Sequence, residues 1–393
     1  MINQINEIAV IVLQSVIGDE ERKIQWQSFA SRFTAETAFS LRETDNPGEA
    51  DFVFLATGGV EQSYASRYKS MPRAIYAPRM TNAFAAMNEI RGYLAKKGEN
   101  AFCFDESRIS LDEFVRIAHA CRLIHGAQIA MYGAPAPWLI ASFPSRDQFQ
   151  AKFHTTIRYA AWEDLHWETC EEQIVSWREL NASGVDSDDL RRASSLSAAM
   201  LANTNINRDD AVTVGCFPLL AQHVSACLAV SDLLTNGFAA ACENDICSVM
   251  GMLAAQGLGL CAQPPWMANL VDIQNDTITL QHCTIARTGL LDCMLMTHFE
   301  SGANVAVAGT LKSSIPVTVF RFSEDFGRAC IVEGTIVESG PNPLGCRTSA
   351  TIKLDHPFPS PLGNHHILVV GHVAHILREF CRMMNIDPAI RKP

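Results

Sequence analysis

The feature that most constrains this chain is a series of short, nearly continuous apolar runs separated by stretches of helical period. Ile8-Ala9-Val10-Ile11-Val12-Leu13 is the first, and residues 21–34 after it are amphipathic. Phe52-Val53-Phe54-Leu55, Ala74-Ile75-Tyr76-Ala77 and Ala101-Phe102-Cys103-Phe104 repeat the arrangement. A strand that is apolar along its whole length must be covered on both faces, the condition of a parallel sheet between helix layers. Ser110-Leu111-Asp112-Glu113 has capping-box spacing and predicts a helix that stops near Gly126. The pattern then starts again. It predicts strands over 128–132, 156–160, 211–216 and 238–242, with helices around 170–180, 187–203 and 222–236, the last stopped by Asn236-Gly237.

Past residue 288 the pattern changes to short alternating runs over 305–308, 317–322, 329–337 and 348–354, bounded by Gly, Pro, Asn and Ser, with a final helix over 372–384. The expected fold is α/β. Two Rossmann-like or flavodoxin-like parallel-sheet domains, 1–126 and 127–287, precede a C-terminal antiparallel β-barrel-like domain, 288–393. A chain of 393 residues is too long for one ordinary core, which agrees with that division.

Composition narrows the function classes. The 48% apolar content supplies enough burial to offset chain entropy, so wholesale disorder is excluded. A net charge of -11 without any clustered Lys and Arg argues against a nucleic-acid partner. No signal-peptide pattern or apolar stretch of membrane-spanning length is visible, so a soluble, cytoplasmic protein is expected. The 13 cysteines lack CxxC spacing, and Cys216, Cys227, Cys242 and Cys247 fall in apolar segments, which reads as buried thiols in a reducing compartment. A catalytic thiol at Cys242 or Cys283 is the functional alternative.

The sharpest local feature is Phe238-Ala239-Ala240-Ala241-Cys242-Glu243-Asn244-Asp245, an apolar strand running into two carboxylates and then a helix. In open parallel sheets, ligands bind beyond the carboxyl ends of the strands. Asp245 is at once a natural helix N-cap and a candidate site residue. Glu243 has no capping need, which favours a metal or substrate role. A second feature is Gly363-Asn364-His365-His366, where adjacent histidines enter an apolar strand and must point to opposite faces, so only one can face a site. The third comprises Met267-Ala268-Asn269-Leu270-Val271-Asp272 and Gln281-His282-Cys283-Thr284.

Together, Cys242-Glu243-Asn244-Asp245, Met267-Ala268-Asn269 and Gly363-Asn364-His365 resemble the metal-site motifs of the L-fucose isomerase family, and more distantly those of L-arabinose isomerase, with this chain a shorter, divergent member. The resemblance implies a divalent ion, Mn²⁺ or Mg²⁺, held by Glu243, His365 and a middle ligand, with Asn364 facing substrate. The family's Asp has no match at its own spacing. Asn269 takes its place counting back from His282-Cys283, and Asp272 lies further along. Asn can coordinate a hard cation but cannot serve as a general base, so Glu243 and Asp272 are the catalytic candidates for proton transfer through an enediol.

Other residues have weaker signals. Gly58-Gly59-Val60-Glu61-Gln62 ends a strand, no GxGxxG fingerprint follows any candidate strand, and by the resemblance Gln62 or Arg79 would reach substrate from a neighbouring subunit. Arg347 could hold an anionic or polyhydroxyl substrate, or form a surface ion pair. Asp245 is read as a supporting residue behind the ligands and His282 either as another or as a satisfied core histidine, while His298, His372 and His375 are read as structural. The expectation is a metal-dependent aldose–ketose isomerase acting on a small sugar as a homo-oligomer. A non-catalytic sugar-binding or regulatory protein and a metal-assisted lyase or aldolase are the alternatives.

Overall fold

The computed structural model describes residues 7–388 except 17, 166, 168–175, 178–179, 208 and 261; most of the helix expected around 170–180 lies outside them. The first apolar runs form five parallel strands: β1 (Glu7–Leu13), β2 (Ser40–Glu43), β3 (Phe52–Leu55), β4 (Ala74–Tyr76) and β5 (Phe102–Cys103). Their spatial order is β2-β1-β3-β4-β5, a doubly wound arrangement. Burial on both faces explains the unbroken apolar character: Phe52 and Phe54 join one core with Phe29 and Phe114, while Val53 and Leu55 join another with Ile75, Ile90 and Leu94. The helix Leu111–Ile124 that follows carries the expected capping box between Ser110 and Glu113.

A second parallel sheet contains β6 (Gln128–Tyr132), β7 (Thr156–Ala160), β9 (Ala211–Val214) and β10 (Ala239–Cys242), in the order β10-β9-β6-β7. The helix expected over 222–236 is shorter, Cys227–Thr235, and ends before Gly237, whose φ of 87° is a conformation glycine adopts without penalty.

The antiparallel part begins earlier than 288. Strands β11 (Trp266–Gln274) and β12 (Thr277–His282), assigned above to the second α/β domain, pair instead with β15 (Pro316–Phe322), β16 (Ala329–Pro341), β17 (Thr348–Leu354) and β18 (His365–Val370) to close a barrel in the order β11-β12-β17-β16-β15-β18. Trp266, Met267 and Ala268 are all buried and so mimic a strand of a parallel sheet, whereas β12, Thr277-Ile278-Thr279-Leu280-Gln281-His282, already alternates polar and apolar residues before 288. A three-stranded sheet, β14-β13-β8, joins β8 (Asn181–Ser183) to β13 (Asp292–Met296) and β14 (Ala306–Thr310).

The helix Ile246–Gly257 ties these parts together. It leaves the carboxyl end of β10 and runs, almost wholly buried, between the second sheet and the barrel. Its closeness depends on two glycines. A Cβ on Gly251 would lie 2.8 Å from the Ile367 side chain of β18, and one on Gly257 would lie 2.8 Å from the Ala120 backbone of helix Leu111–Ile124. The chain therefore fixes the end of β10 against the start of β18.

Candidate metal centre

Three short strands of the second sheet end at one edge, and the chain leaving β10 crosses it. Glu243 and Asn244 both have left-handed backbones, with φ of 62° and 58°, an unfavourable pair for residues other than glycine. Neighbouring strand ends hold this turn. The Asn244 backbone N–H donates to the Val214 carbonyl at 3.1 Å, and its side-chain amide donates to the Tyr132 and Gly133 carbonyls at 3.0 and 2.9 Å. The turn aims Glu243 out of the sheet edge, while Asp245 turns back to cap the following helix by accepting from the Ser248 N–H at 2.7 Å.

Asp245 has a second task. Its other oxygen accepts from His365 Nδ1 at 2.9 Å and lies 3.4 Å from the Arg321 guanidinium. Arg321, on β15, is 2% exposed and also donates to the His365 carbonyl at 2.6 Å, the Ala141 carbonyl at 3.0 Å and Ser142 Oγ at 2.7 Å. His365 is thus held at both its ring and its backbone, and with Nδ1 engaged its Nε2 faces Glu243 at 3.6 Å. His282, at the end of β12, is held by Thr284 Oγ1 on Nδ1 at 2.8 Å and presents Nε2 to the same Glu243 oxygen at 3.9 Å. The second Glu243 oxygen accepts from the Trp138 indole N–H at 2.7 Å.

One carboxylate oxygen and two imidazole nitrogens therefore converge within 4.8 Å of one another. Both Nε2 atoms are buried and have no hydrogen-bond partner. Leaving such atoms unmatched costs free energy, and a cation ligated by all three would satisfy them. Ligands about 2.1 Å from a shared ion stand roughly 3–3.5 Å apart, so a small side-chain contraction would close the set. The Nδ1 bonds to Asp245 and Thr284 are the outer contacts that fix the tautomer and orientation of ligating histidines.

Charges within the cluster are matched to one another. Burial alone would push the Glu243 carboxyl up, but His365, His282 and Trp138 hold it down at about 2. Asp245 is likewise opposed by burial and held at about 2 by His365 and Arg321. His365 resists burial because Asp245 and Glu243 raise its imidazole to about 9, whereas burial and the neighbouring His365 push His282 down to about 3. The cluster rests with Glu243 and Asp245 ionised, His365 protonated and His282 neutral. Entry of a cation requires the loss of one proton, from His365.

The sequence-expected residues divide clearly. Glu243 and His365 meet, and His366, on the opposite side of β18, bonds through Nδ1 to the Asn364 carbonyl and packs against Phe358. His282 is a direct member of the cluster and not a residue behind it, a correction to the expectation from sequence. Asn269 faces His365 across the β11/β18 ladder, but its oxygen accepts from the Asn364 amide, so these two engage each other at the edge of the cluster. Asp272 is not brought there. It lies past a bulge on the exposed half of β11, about 10 Å along the strand from Asn269, and its carboxylate accepts from Gln274.

Arg347 is also not placed to grip substrate. It is buried, and its guanidinium donates to the carbonyls of Thr297, Asn342 and Pro343 and to the Thr297 hydroxyl. Gln62 is exposed on the short helix Glu61–Ala65 of the first domain, and Arg79 pairs with Asp105. Cys242 and Cys283 are buried, with Cys242 Sγ 3.2 Å from Cys216 Sγ and its thiol pushed well up by that contact and by burial. A resting thiolate nucleophile does not fit those surroundings.

Sequence reading missed Arg321, Trp138 and Ser142. Arg321 had a signal: a cation inside Val317-Thr318-Val319-Phe320-Arg321-Phe322 must be buried and paired. Trp138 had none beyond its place in the loop after β6. That indole, 48% exposed, packs edge-on against Phe217 at 4.5 Å, and Phe217 reaches His298 at 6.3 Å, so an aromatic rim borders the cluster. His298 Nε2 in turn lies 3.3 Å from Glu300.

No family model matches this sequence, and no curated protein matches it. Among solved structures, the alignment with a chain described as the crystal structure of a macrolide-efflux protein from Streptococcus pneumoniae covers 93% of this chain and 90% of that one, at 8% identity and a TM-score of 0.20. A likeness that low carries no argument. Among the described residues, no helix is long and apolar enough to cross a membrane.

Proposed function

We propose that this protein is a divalent-metal-dependent carbohydrate isomerase or a close relative of one, similar to L-fucose isomerase, with Glu243, His282 and His365 as its metal ligands. The observation that supports this is the convergence of the two unpartnered Nε2 atoms on a single Glu243 oxygen, each imidazole fixed from behind. A donor set with two imidazoles suits Mn²⁺ better than Mg²⁺, which takes oxygen ligands almost exclusively. Such a cation would polarise the carbonyl and adjacent hydroxyl of a sugar.

The chain's own residues would divide the remaining work. Trp138 holds one Glu243 oxygen in place and offers an indole face to the apolar side of a sugar ring. Asn269 and Asn364, paired at the edge of the cluster, offer amide groups to substrate hydroxyls. Proton transfer between adjacent carbons needs a base near neutrality. With Asp272 remote and Glu243 held at about 2, the His298–Glu300 pair beyond Phe217 is the candidate among the described residues.

The sugar-binding alternative keeps a specific motive: Asp245 is occupied by His365, Arg321 and Ser248, so among the described residues Glu243 alone supplies a carboxylate to the cluster. The test has two parts. Metal content after Mn²⁺ loading and desalting should be about one ion per chain and should be lost in His282→Ala and His365→Ala. A panel of aldoses and ketoses should then give a product of unchanged mass. Metal retained in both variants, or absent from the parent protein, would remove the metal centre. A loaded protein that binds sugars without turnover would leave the binding-protein reading.

A further inference from the structure

The cluster around Glu243 lies at the carboxyl ends of the parallel strands, and a large cleft opens at the opposite edge. Its volume is about 840 Å³. Its walls come from the segments that precede β3, β4 and β5 of the first sheet, from the ends of helices Leu111–Ile124 and Arg146–Phe153 that precede β6 and β7, and from Met383, Met384 and Asn385 at the end of the C-terminal helix. Two sheets and the C-terminal segment therefore share one concave surface, of the size that takes a small organic ligand.

The lining is basic, in a chain of net charge -11. Lys69, Arg73, Arg122 and Lys152 all face the cleft, with His125 and His154 beside them. Its two acids are already engaged by arginines: Asp51 accepts from Arg122 at 2.6 Å and from His119 at 3.0 Å, and Glu99 pairs with Arg73. The lysines lack such partners. Among the described residues neither Lys69 nor Lys152 has a carboxylate within salt-bridge distance, and Lys152 donates to the carbonyls of Phe326 and Asn385. Helix C-termini attract cations, which accounts for Arg122 and Lys152 in their last turns. It does not account for Lys69, which lies on no helix, or for a cavity around all four.

Met71, Met383 and Met384 also line the cleft, Met383 partly exposed and the other two almost wholly buried, and give it an apolar, adaptable part. We propose that this cleft is a second ligand site, separate from the metal cluster, that binds a phosphorylated small molecule: the phosphate between Lys69 and Lys152, the apolar part of the ligand against the three methionines. The ammonium groups supply point charges for a phosphate dianion, and the low exposure of the cleft floor strengthens that attraction.

Pyrophosphate is the probe, titrated calorimetrically into full-length protein stripped of metal by EDTA and desalted. One saturable site per chain is expected. Its affinity should fall at least tenfold in Lys69→Glu, an exposed position where folding is undisturbed, and in Lys152→Met, with circular dichroism to check the fold. It should persist in His365→Ala, which separates the cleft from the metal cluster. Absence of saturable binding would overturn the proposal, as would binding that survives Lys69→Glu but disappears in His365→Ala.

Discussion

His365 Nδ1 lies 2.9 Å from the Asp245 carboxylate, and that contact joins a helix cap to a candidate metal ligand. Asp245 caps the helix Ile246–Gly257 with one oxygen and holds an imidazole of β18 with the other, so the turn after β10 and the first residue of β18 are set by a single side chain.

Asp245→Asn separates the two tasks. Asn is as good an N-cap as Asp, so the helix should stay formed. The imidazole loses its anionic partner, and Mn²⁺ affinity should drop about 10–100-fold. Equilibrium metal titration beside a thermal melt checks this: affinity and melting temperature both unchanged would mean that Asp245 is only a cap.

Metal binding and stability should have opposite pH dependences. His365 is raised from 6.5 to about 9, so its charged form stabilises the metal-free fold fully below 6.5 and that contribution is lost as pH rises through 9. The same proton competes with the cation, so Mn²⁺ affinity should climb over that interval. Denaturant titrations of the metal-free protein from pH 6 to about 9.5 should show falling stability, and His365→Gln should flatten both trends.

Trp138→Phe keeps the aromatic contact with Phe217 and removes only the N–H that Glu243 accepts. Loss of a charge-assisted hydrogen bond of this kind costs about 1.5–3 kcal/mol. Mn²⁺ affinity should fall by roughly tenfold or more, and because the bond is already present in the metal-free fold the melting temperature should fall by a few degrees, as read by metal titration and calorimetry.

Gly251→Val brings a branched side chain into contact with β18, since a Cβ at that position would already stand 2.8 Å from Ile367. Overpacking of this kind costs about 1–3 kcal/mol. Because Asp245 caps this helix, metal affinity should fall together with stability, whereas Gly92→Ala, with open space around it, should leave metal affinity unchanged.

Acid stability should depend on Asp51, far from the Glu243 cluster. Burial opposes its ionisation, but His119 and Arg122 hold its carboxyl below the usual 3.8, and it also accepts the Ala9 N–H at 2.8 Å. That stabilisation is present above 3.8 and is lost as pH falls through the lower folded value. Asp51→Asn should cost about 1–3 kcal/mol at neutral pH, discounted because Arg122 is partly solvated, and should reduce the slope of stability against pH in the acid range.

What could be read from the sequence was what neighbouring residues impose on each other. Unbroken runs such as Phe52-Val53-Phe54-Leu55 require cover on both faces, Ser110 and Glu113 cap a helix wherever it packs, and Glu243 at the end of Ala239-Ala240-Ala241-Cys242 has to point away from the sheet. Opposed directions for His365 and His366 follow from the strand period alone.

The partners of these residues come from distant parts of the chain, and only the tertiary structure selected them. His282 enters the cluster, and not Asp272, because β12 and β18 flank β11 with Asn269 opposite both Gln281 and His365, which sets the end of β12 and the start of β18 at one level of the barrel, while a bulge carries the second half of β11 into solvent. Arg321 reaches Asp245 and His365 because β15 pairs with β18, and Trp138 reaches Glu243 because β6 and β10 end at one sheet edge. The sequence by itself determined which strands would be buried and which carboxylate would stand at a strand end, since burial pattern and capping are properties of local spacing. Register and closure, which depend on every strand at once, decided which two imidazoles face that carboxylate and left a basic cleft at the other edge.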